Sequence, residues 1–520
     1  MRVSTLVGGS DSDPVVDAIV LDSRQAAPGG VWAALSGTRT HGARHADGPI
    51  AAGVAAILTD PEGEQILAES YGSDALASGV GPVVLVCDQP RAVTARWAAR
   101  LHGRPGERMT TFAVTGTNGK STTTFLLQMA LRALGQRTGL IGTVGFHLDD
   151  EPIPAATTST VTTPEAPDLQ ATLGRLADAG ADALAMEVSS HALALHRADG
   201  IVFDVAGFTN LGVDHLDFHA DLEDYFAAKA RLFTAELSRR VVLPLDDPYG
   251  HRLVEQVRAE RPDALLVTVS LDDPDAADVG VRSWTPTETG SRVEFVVHGR
   301  AVLAEISLPG VHNVRNALLA LGMVVASGVD DLDTAVEGFA LVRVPGRMEP
   351  VVLEASASHP IPPRVFVDFA HTPQAVRAAG ESFADAGPVV IVVGSGGDRD
   401  PGKRAPIGEA AALGADVVVV TDDNPRSEDP AAIRAEILAG ARAVEGGRAH
   451  EVVDGGDRAA AIRLGLETAC ATSPVATVLV LGRGHETQQL TADGPVDFHD
   501  PTVVAQQWQD LAAPGRGAGS

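Results

Sequence analysis

Residues 116–122 read GTNGKST; they follow the apolar run TTFAVT and lead into TTFLLQMAL, whose apolar residues recur at helical spacing. A strand that runs into a glycine-rich turn opening a helix is the setting in which bare backbone N–H groups and a helix N-terminus cradle phosphate. Gly116, Thr117, Asn118 and Gly119 would form that cradle, Lys120 would reach the terminal phosphates, and Ser121 or Thr122 would hold magnesium. The general loop carries a further glycine five residues before Gly119, where this chain has Val114, so the match is partial. The plain alternative is a glycine turn with no ligand. Strand, turn, lysine and hydroxyls in the right order favour ATP.

Lys120 is one of only three lysines among 40 basic residues; the others are Lys229 and Lys403. Lys229 lies in LEDYFAAKARLF, residues 222–233. As a helix, this stretch places Leu222, Tyr225, Phe226, Leu232 and Phe233 on one apolar stripe, with Lys229 inside it. Burial lowers the pKa of a lysine and leaves a neutral amine. Such an amine can add carbon dioxide to give a carbamate, an anion that can sit beside magnesium, whereas arginine cannot. On pattern alone a snorkelling lysine is the better reading.

Two further candidates follow strand-like runs, Glu187 in AMEVSSHAL and His215 in FTNLGVDHLDFH. In a parallel sheet they share an edge with the phosphate loop, within reach of ATP-bound magnesium. His215 and His219 have the spacing of a zinc pair, but no cysteine or third histidine nearby completes the set. Near the C-terminus GGDRD, DDNPRSED and GRGHE each follow a strand-like run, so all three loops should open on one sheet edge. Arg399 and Arg426 can fork onto a carboxylate, while Asp423, Asn424 and Glu486 can receive an ammonium group. A site offering both suits an amino acid. For DNPR alone, a solvated Asx-Pro turn is the alternative.

The elements that must position these residues read as α/β throughout. A chain of 520 residues with 45% hydrophobic residues can fill several cores. LHGRPGERMT (101–110) and VRVPGRMEP (342–350) combine Gly, Pro and charge, which predicts three domains, 1–105, 106–345 and 346–512, and a disordered tail over 513–520. The first is a small α/β domain built on strands such as VAAIL and PVVLVC. The central one is a P-loop ATPase-type, mostly parallel sheet, and the last is a Rossmann-like sheet in which PVVIVVG, ADVVVVT and ATVLVLG alternate with helices. A net charge of −28 argues against nucleic acid or an anionic membrane as partner. Two cysteines exclude a disulfide framework, no apolar run is long enough for a span, and the start lacks a signal-peptide core, so a cytoplasmic protein is expected.

In this order, GTNGKSTT, EVSSHAL, DHLDFH, FAAKARLF, GVHNVRNALLA, GRME and DFAHTP resemble the Mur ligases, which build the peptide stem of bacterial cell-wall precursors. LDSR, GGDRDPGKR, DDNPRSEDP and GRGHE narrow the resemblance to the branch that adds meso-diaminopimelate to UDP-N-acetylmuramoyl-L-alanyl-D-glutamate. It runs from about Leu21 to Val504. GTNGK alone would be less specific, because folylpolyglutamate synthases look similar there. The resemblance implies uridine-nucleotide contacts at Leu21, Ser23, Thr38, Arg39 and Thr40, and contacts to the muramoyl dipeptide at Thr162, Thr163, Ser189 and Arg197. It implies a carbamylated Lys229 supporting a second magnesium, nucleotide-side residues His312, Asn313, Asn316, Arg347 and Asp368, and an amino-acid site that includes Pro425 and Gly482. Leu195 stands where some members have Gln, and Val161 where some have Asn. The implied reaction is ATP-driven amide formation through an acyl phosphate, carried out by a monomer. Two alternatives are a ligase that adds L-lysine and, from another class, an ATP-gated binding protein. The latter would need neither an amino-acid pocket nor Lys229.

Overall fold

The structure is a computed structural model that describes residues 15–37, 40–72, 81–154, 161–287 and 289–512. The predicted tail, 513–520, and Thr38 and Arg39 lie outside them. The first sheet has four parallel strands in chain order: β1 (Ile19–Val20), β2 (Val31–Ala33), β3 (Ala56–Thr59) and β4 (Val83–Val86). Successive side chains point to opposite faces. Val31 and Ala33 therefore pack with Trp97 and Ala98, while Trp32 and Ala34 pack with Ile66 and Leu67 on the other side.

The central sheet has eleven strands: β5 (Thr110–Thr115), β6 (Thr138–Gly142), β7 (Gly145–Leu148), β8 (Glu151–Pro152), β9 (Ala183–Glu187), β10 (Phe203–Phe208), β11 (Ser238–Pro244), β12 (Leu265–Ser270), β13 (Val279–Pro286), β14 (Ser291–Val297) and β15 (Arg300–Ile306). Their order is β15-β14-β13-β12-β11-β10-β5-β9-β6-β7-β8. The stretch from β13 to β6 is parallel. It is covered on both faces: Phe112 and Val114 of β5 pack with Leu126, Leu127, Leu318 and Leu321, whereas Ala113 packs with Leu169 and Leu173. Continuous apolar strands are what such double burial requires. Both ends of the sheet turn antiparallel around a parallel majority, so the mostly parallel expectation holds. On β15 the outward residues Ala301, Leu303 and Glu305 are exposed, and a sheet with one wet face is free to extend by hairpins. His298 and Gly299, both at positive φ, make the β14–β15 turn.

The last sheet has six strands: β16 (Glu349–Val351), β17 (Arg364–Asp368), β18 (Val389–Val393), β19 (Val417–Thr421), β20 (Glu451–Gly456) and β21 (Thr477–Leu481). The order is β16-β17-β21-β18-β19-β20, with only β16 antiparallel. The loops after β18, β19 and β21 open together on the carboxyl edge, as the sequence predicts. A separate hairpin, β22 (Gln488–Thr491) and β23 (Gly494–Asp497), follows β21. The C-terminal helix Asp500–Ala512 is tied to the sheet by a fully buried ion pair, in which Arg458 donates through two nitrogens to Asp500 at 2.8 and 2.7 Å and also to the Leu481 carbonyl at 3.0 Å.

Removing one partner of a buried pair strands the other charge, at a cost of about 3–5 kcal/mol. Asp500→Ala should lose that much in urea unfolding followed by fluorescence of Trp508, which is buried in the same helix. A loss below about 1 kcal/mol, the size of an exposed pair, would show that the tie contributes little.

Candidate active site

The phosphate loop fits only glycine at two places. Gly116 has φ +146 and a Cβ there would lie 1.9 Å from Thr209 Oγ1; Gly119 has φ +90 and its Cβ would lie 2.3 Å from Asn316 Oδ1. The loop is pinned from the segment after β10. Asn118 N–H donates to Asn210 Oδ1, and Asn210 Nδ2 donates to the Asn118 carbonyl, both at 3.1 Å. Gly212 N–H donates to Thr117 Oγ1 at 2.9 Å, and the Tyr225 hydroxyl lies 3.2 Å from the same oxygen. Lys120 begins the helix Lys120–Ala133, and its ammonium donates to the carbonyls of Gly116 (3.0 Å) and Thr117 (2.8 Å). Burial lowers its pKa. Thr117 and Asn118 use their amides on Asn210, so it is the uncapped first turn of the Lys120 helix, approached over glycines, that fits the loop to a nucleotide phosphate chain.

Lys229 is 1% exposed, so the snorkelling reading gives way. Its helix runs Leu222–Ala230 and tightens into a 3₁₀ turn over Arg231–Phe233. The Lys229 Nζ donates to Gly116 O at 2.7 Å and sits 4.3 Å over the Tyr225 ring. Burial first, and the nearby Lys120 second, press its pKa far down.

Glu187, at the end of β9, is also 1% exposed; its carboxylate accepts from Thr143 N–H at 2.9 Å and Thr143 Oγ1 at 3.1 Å. His215 lies in the loop beyond β10 rather than at the strand end, at φ +55, and burial holds its pKa down at about 4. Beside it Asp214 lies 3.7 Å from His371. Burial alone would raise the Asp214 carboxyl, but His371, His215 and Lys403 together hold it well below the usual range. A buried carboxylate, a neutral imidazole and the Ser121 hydroxyl are donors suited to a magnesium–phosphate group. The His215/His219 pairing does not form a metal site: His219 Nε2 lies 3.0 Å from Ser190 Oγ and Nδ1 lies 3.2 Å from Asp224. Among the described residues no group of three or more His, Cys, Asp or Glu could hold a metal by itself.

Thr117 to Thr122, Glu187 and His215 line one cavity of about 1580 Å³ together with His312, Asn313, Asn316, Arg347 and Asp368. The helix Val311–Ser327 presents the two asparagines, Asn316 Nδ2 donating to Asn313 Oδ1 at 3.1 Å. Arg347 lies 4.4 Å over the Phe369 ring and reaches Ser121 Oγ at 3.5 Å and His485 Nδ1 at 3.4 Å. The Asp368 carboxylate accepts from the N–H groups of Met348 (2.7 Å) and Ala370 (2.8 Å).

Val161, Thr162, Ser189 and Arg197 line the same cavity. Thr163 is turned inward, its hydroxyl donating to the Glu187 carbonyl at 2.9 Å and accepting from Ser189 N–H at 3.2 Å. Leu195 caps a helix outside the lining. Leu21, Ser23 and Thr40 of the first sheet's loops are not among the lining residues. The two sites are bridged instead by Glu165, which pairs with Arg197 at 2.7 Å and with Arg91 of the first domain at 3.7 Å.

Arg399, Asp423, Asn424, Arg426, Gly482 and Glu486 line the cavity from the C-terminal sheet. Asn424 Nδ2 donates to Glu486 at 2.7 Å, and Arg426 donates to the Gly397 carbonyl at 2.7 Å. Burial raises the Glu486 carboxyl. Pro425 is buried behind them and is not a lining residue. Sequence reasoning missed Asn210, Thr143, Asp214, Tyr225 and His371. Asn210 and Asp214 stand in stretches read only for their histidine, and Thr143 bears no sequence signal, since it is brought to Glu187 by strand pairing alone.

A glycine phosphate loop sharing one cavity with a cluster of arginines and carboxylates is the site of an ATP-dependent ligase. Residues 114–324 match the Mur ligase middle domain, and residues 346–484 match the Mur ligase glutamate ligase domain. A "UDP-N-acetylmuramoyl-L-alanyl-D-glutamate--2,6-diaminopimelate ligase" of Streptomyces avermitilis is 42% identical over 509 residues, covering 96% of this chain and 94% of its own. The protein of the same name from Corynebacterium glutamicum is 41% identical, covering 91% and 88%. A solved structure of a ligase with that name aligns at TM-score 0.69 and 27% identity over 99% of this chain and all of its own. A folylpolyglutamate synthase of Mycobacterium tuberculosis solved with ADP and AMPPCP shares the fold at TM-score 0.60, over 82% of this chain and 96% of its own. The chain belongs to the Mur ligase family, and its activity is that of an ATP-dependent ligase in peptidoglycan synthesis.

His485 offers a test of the site's electrostatics. Burial, then the Arg347 charge, lower its pKa from 6.5 to about 4. A group kept neutral in the fold but protonated when unfolded costs stability as pH falls from its unfolded towards its folded pKa. His485→Gln should therefore gain stability relative to the parent between pH 6.5 and 4 and match its slope above pH 7. Parallel pH profiles would refute the assignment.

Proposed function

We propose that the chain adds meso-diaminopimelate to UDP-N-acetylmuramoyl-L-alanyl-D-glutamate in the cytoplasm, as a monomer made of domains 1–105, 106–345 and 346–512. The observation that carries this reading is the presence around one cavity of the lysine-bearing phosphate loop, two guanidinium groups at Arg399 and Arg426, and the acceptors Asp423 and Glu486. The names of the relatives from Streptomyces avermitilis and Corynebacterium glutamicum support it.

The nucleotide sugar is assigned to Leu21, Ser23, Thr38, Arg39 and Thr40, and its dipeptide to Thr162, Thr163, Ser189 and Arg197. The D-Glu side-chain carboxylate attacks the γ-phosphorus of ATP; a P–O bond forms, the bond to ADP breaks, and an acyl phosphate results. Lys120 holds the phosphates in line, so catalysis is largely positioning and charge neutralisation. The amine nitrogen of diaminopimelate then attacks the acyl carbon, the C–O bond breaks, phosphate leaves and the nitrogen loses a proton. Magnesium, held by Ser121, Glu187, His215 and a Lys229 carbamate, would supply charge neutralisation at the phosphates. Lys229 is suited to that modification because a neutral amine can attack carbon dioxide and lose its proton. His312, Asn313, Asn316, Arg347 and Asp368 serve the nucleotide.

Lysine ends in an amine where diaminopimelate has an amine and a carboxylate, so the selector must read a carboxylate. Arg426 suits this role, since an unpaired desolvated guanidinium penalises the wrong substrate. In a phosphate-release assay the protein should turn over meso-diaminopimelate, with L-lysine lower by about 100-fold or more in kcat/KM. Arg426→Ala should raise KM for meso-diaminopimelate and leave the KM values for ATP and nucleotide sugar unchanged. Comparable turnover of L-lysine would make this the lysine-adding ligase instead.

Lys229→Ala should lose most activity and recover part of it with a small added carboxylic acid, while Lys229→Arg should not substitute. Parent-like activity of Lys229→Ala, with no bicarbonate dependence in either protein, would remove the carbamate from the mechanism.

A further inference from the structure

The β22–β23 hairpin belongs to no larger sheet, and two strands alone are marginal in water. It is nevertheless fastened to the loop that carries Arg426. Leu490 N–H donates to Asn424 Oδ1 at 2.8 Å, and the Leu490 carbonyl accepts from Arg426 N–H at 2.9 Å. One residue earlier, Gln489 Nε2 donates to the Asp423 carbonyl at 2.6 Å. Two consecutive hairpin residues thus hold three residues of the DNPR loop. Arg426 has φ +52, a left-handed conformation uncommon for any residue other than glycine and held here by its surroundings. The bond to Leu490 is such an imposition. At its base the hairpin is closed by Phe498 N–H donating to the Thr487 carbonyl at 2.9 Å, and by Arg483 lying 5.1 Å over the Phe498 ring.

Side chains alternate across a strand. Gln489 turns to the loop, so Leu490 faces the other way; it lines the cavity and is 39% exposed. Leu490 thus presents apolar surface free to take a packing partner in the cavity that Arg399, Asp423, Arg426 and Glu486 also line. A substrate charged at both ends and joined by methylenes would supply one.

We propose that this hairpin is part of the amino-acid site, with Leu490 a specificity-determining wall for the substrate's methylene chain and Gln489 a positioning residue that fixes the Asp423–Arg426 loop. The inference rests on the cleft being the amino-acid site of the ligase. Leu490→Ala removes the apolar contact and should raise KM for meso-diaminopimelate about tenfold. Leu490→Met, which restores the volume, should return it close to the parent value. Gln489→Glu keeps the shape but loses the donor, and should raise the same KM about fivefold or more.

The experiment is steady-state kinetics on the full chain with each substrate varied in turn, accompanied by thermal unfolding. The expected result is a rise confined to the amino-acid KM, with the KM values for ATP and nucleotide sugar and the melting temperature held. If the parent joins the amine but the Leu490→Ala and Gln489→Glu variants keep its amino-acid KM, the inference is overturned and the ligase reading stands. If all KM values and the melting temperature worsen together, the hairpin is only structural and the inference is overturned. If the parent joins no amine at all, the proposed function itself fails and this inference fails with it.

Discussion

Two ammonium groups, Lys120 from the phosphate loop's own helix and Lys229 from the helix Leu222–Ala230, donate to the same carbonyl oxygen, that of Gly116. Two cations brought together away from water repel each other, and each lowers the other's affinity for its proton. A carbonyl dipole offsets little of this. The arrangement becomes favourable when anions arrive, or when one amine gives up its charge. Much of the surrounding structure keeps the two groups in place. The glycines let the loop backbone turn without side chains, Tyr225 floors Lys229 and contacts Thr117, and Asn210 holds Asn118 from the next strand's loop. A parallel sheet is what brings these loops to one edge, because every parallel strand delivers its C-terminal loop to the same side.

That geometry explains what the sequence could and could not reveal. The strands beside the loop, TTFAVT and ALAME, and VVIVV in the last sheet were legible because they are continuous apolar runs, the mark of strands buried on both faces. Lys229 was legible as a charge inside an apolar stripe, although its direction was not. A helical wheel fixes the face of a residue, while the choice between snorkelling to water and donating to Gly116 depends on a loop 113 residues away. Thr143 and Asn210 were invisible for the same reason, since each acts through strand neighbours. The antiparallel ends of the central sheet were missed because alternation over seven residues marks a half-exposed strand without naming its partner.

The cavity is walled by different domains, and the charge contacts across it are long. His371 of the last domain lies 3.7 Å from Asp214 of the central one, and Arg399 lies 4.0 Å from Asp217 with both side chains about half exposed. The exposed Arg399–Asp217 pair contributes about 0–1 kcal/mol, whereas Asp214 is mostly buried and His371 helps to keep it ionised. The cations Arg399 and Lys403 lie on one wall with His371, and the acids Asp214 and Asp217 on the other. Such walls attract over several ångströms without locking, and water or substrate can replace either partner at small cost. By contrast the linker next to the site is tightly packed: a Cβ on Gly346 would fall 2.0 Å from His485 N. The GRGHE loop is thus packed directly against the linker of its own domain.

The division between lysine and arginine follows from the same physics. The chain has 40 basic residues and three lysines. Lys120 and Lys403 line the cavity, and Lys229 shares the Gly116 carbonyl with Lys120. A guanidinium cannot shed its proton, so burying one calls for acceptors around it, as at two of the buried arginines, although Arg483, equally buried, leaves Nε and Nη1 without a hydrogen-bond partner. Arg458 takes both oxygens of Asp500 and a carbonyl, and Arg404 takes Glu428 and Glu436. An ammonium group can be buried with a single backbone acceptor because it has another resort, which is to become an amine. Lys229, with one carbonyl and one aromatic ring as company, occupies a position where an arginine would be a stranded charge.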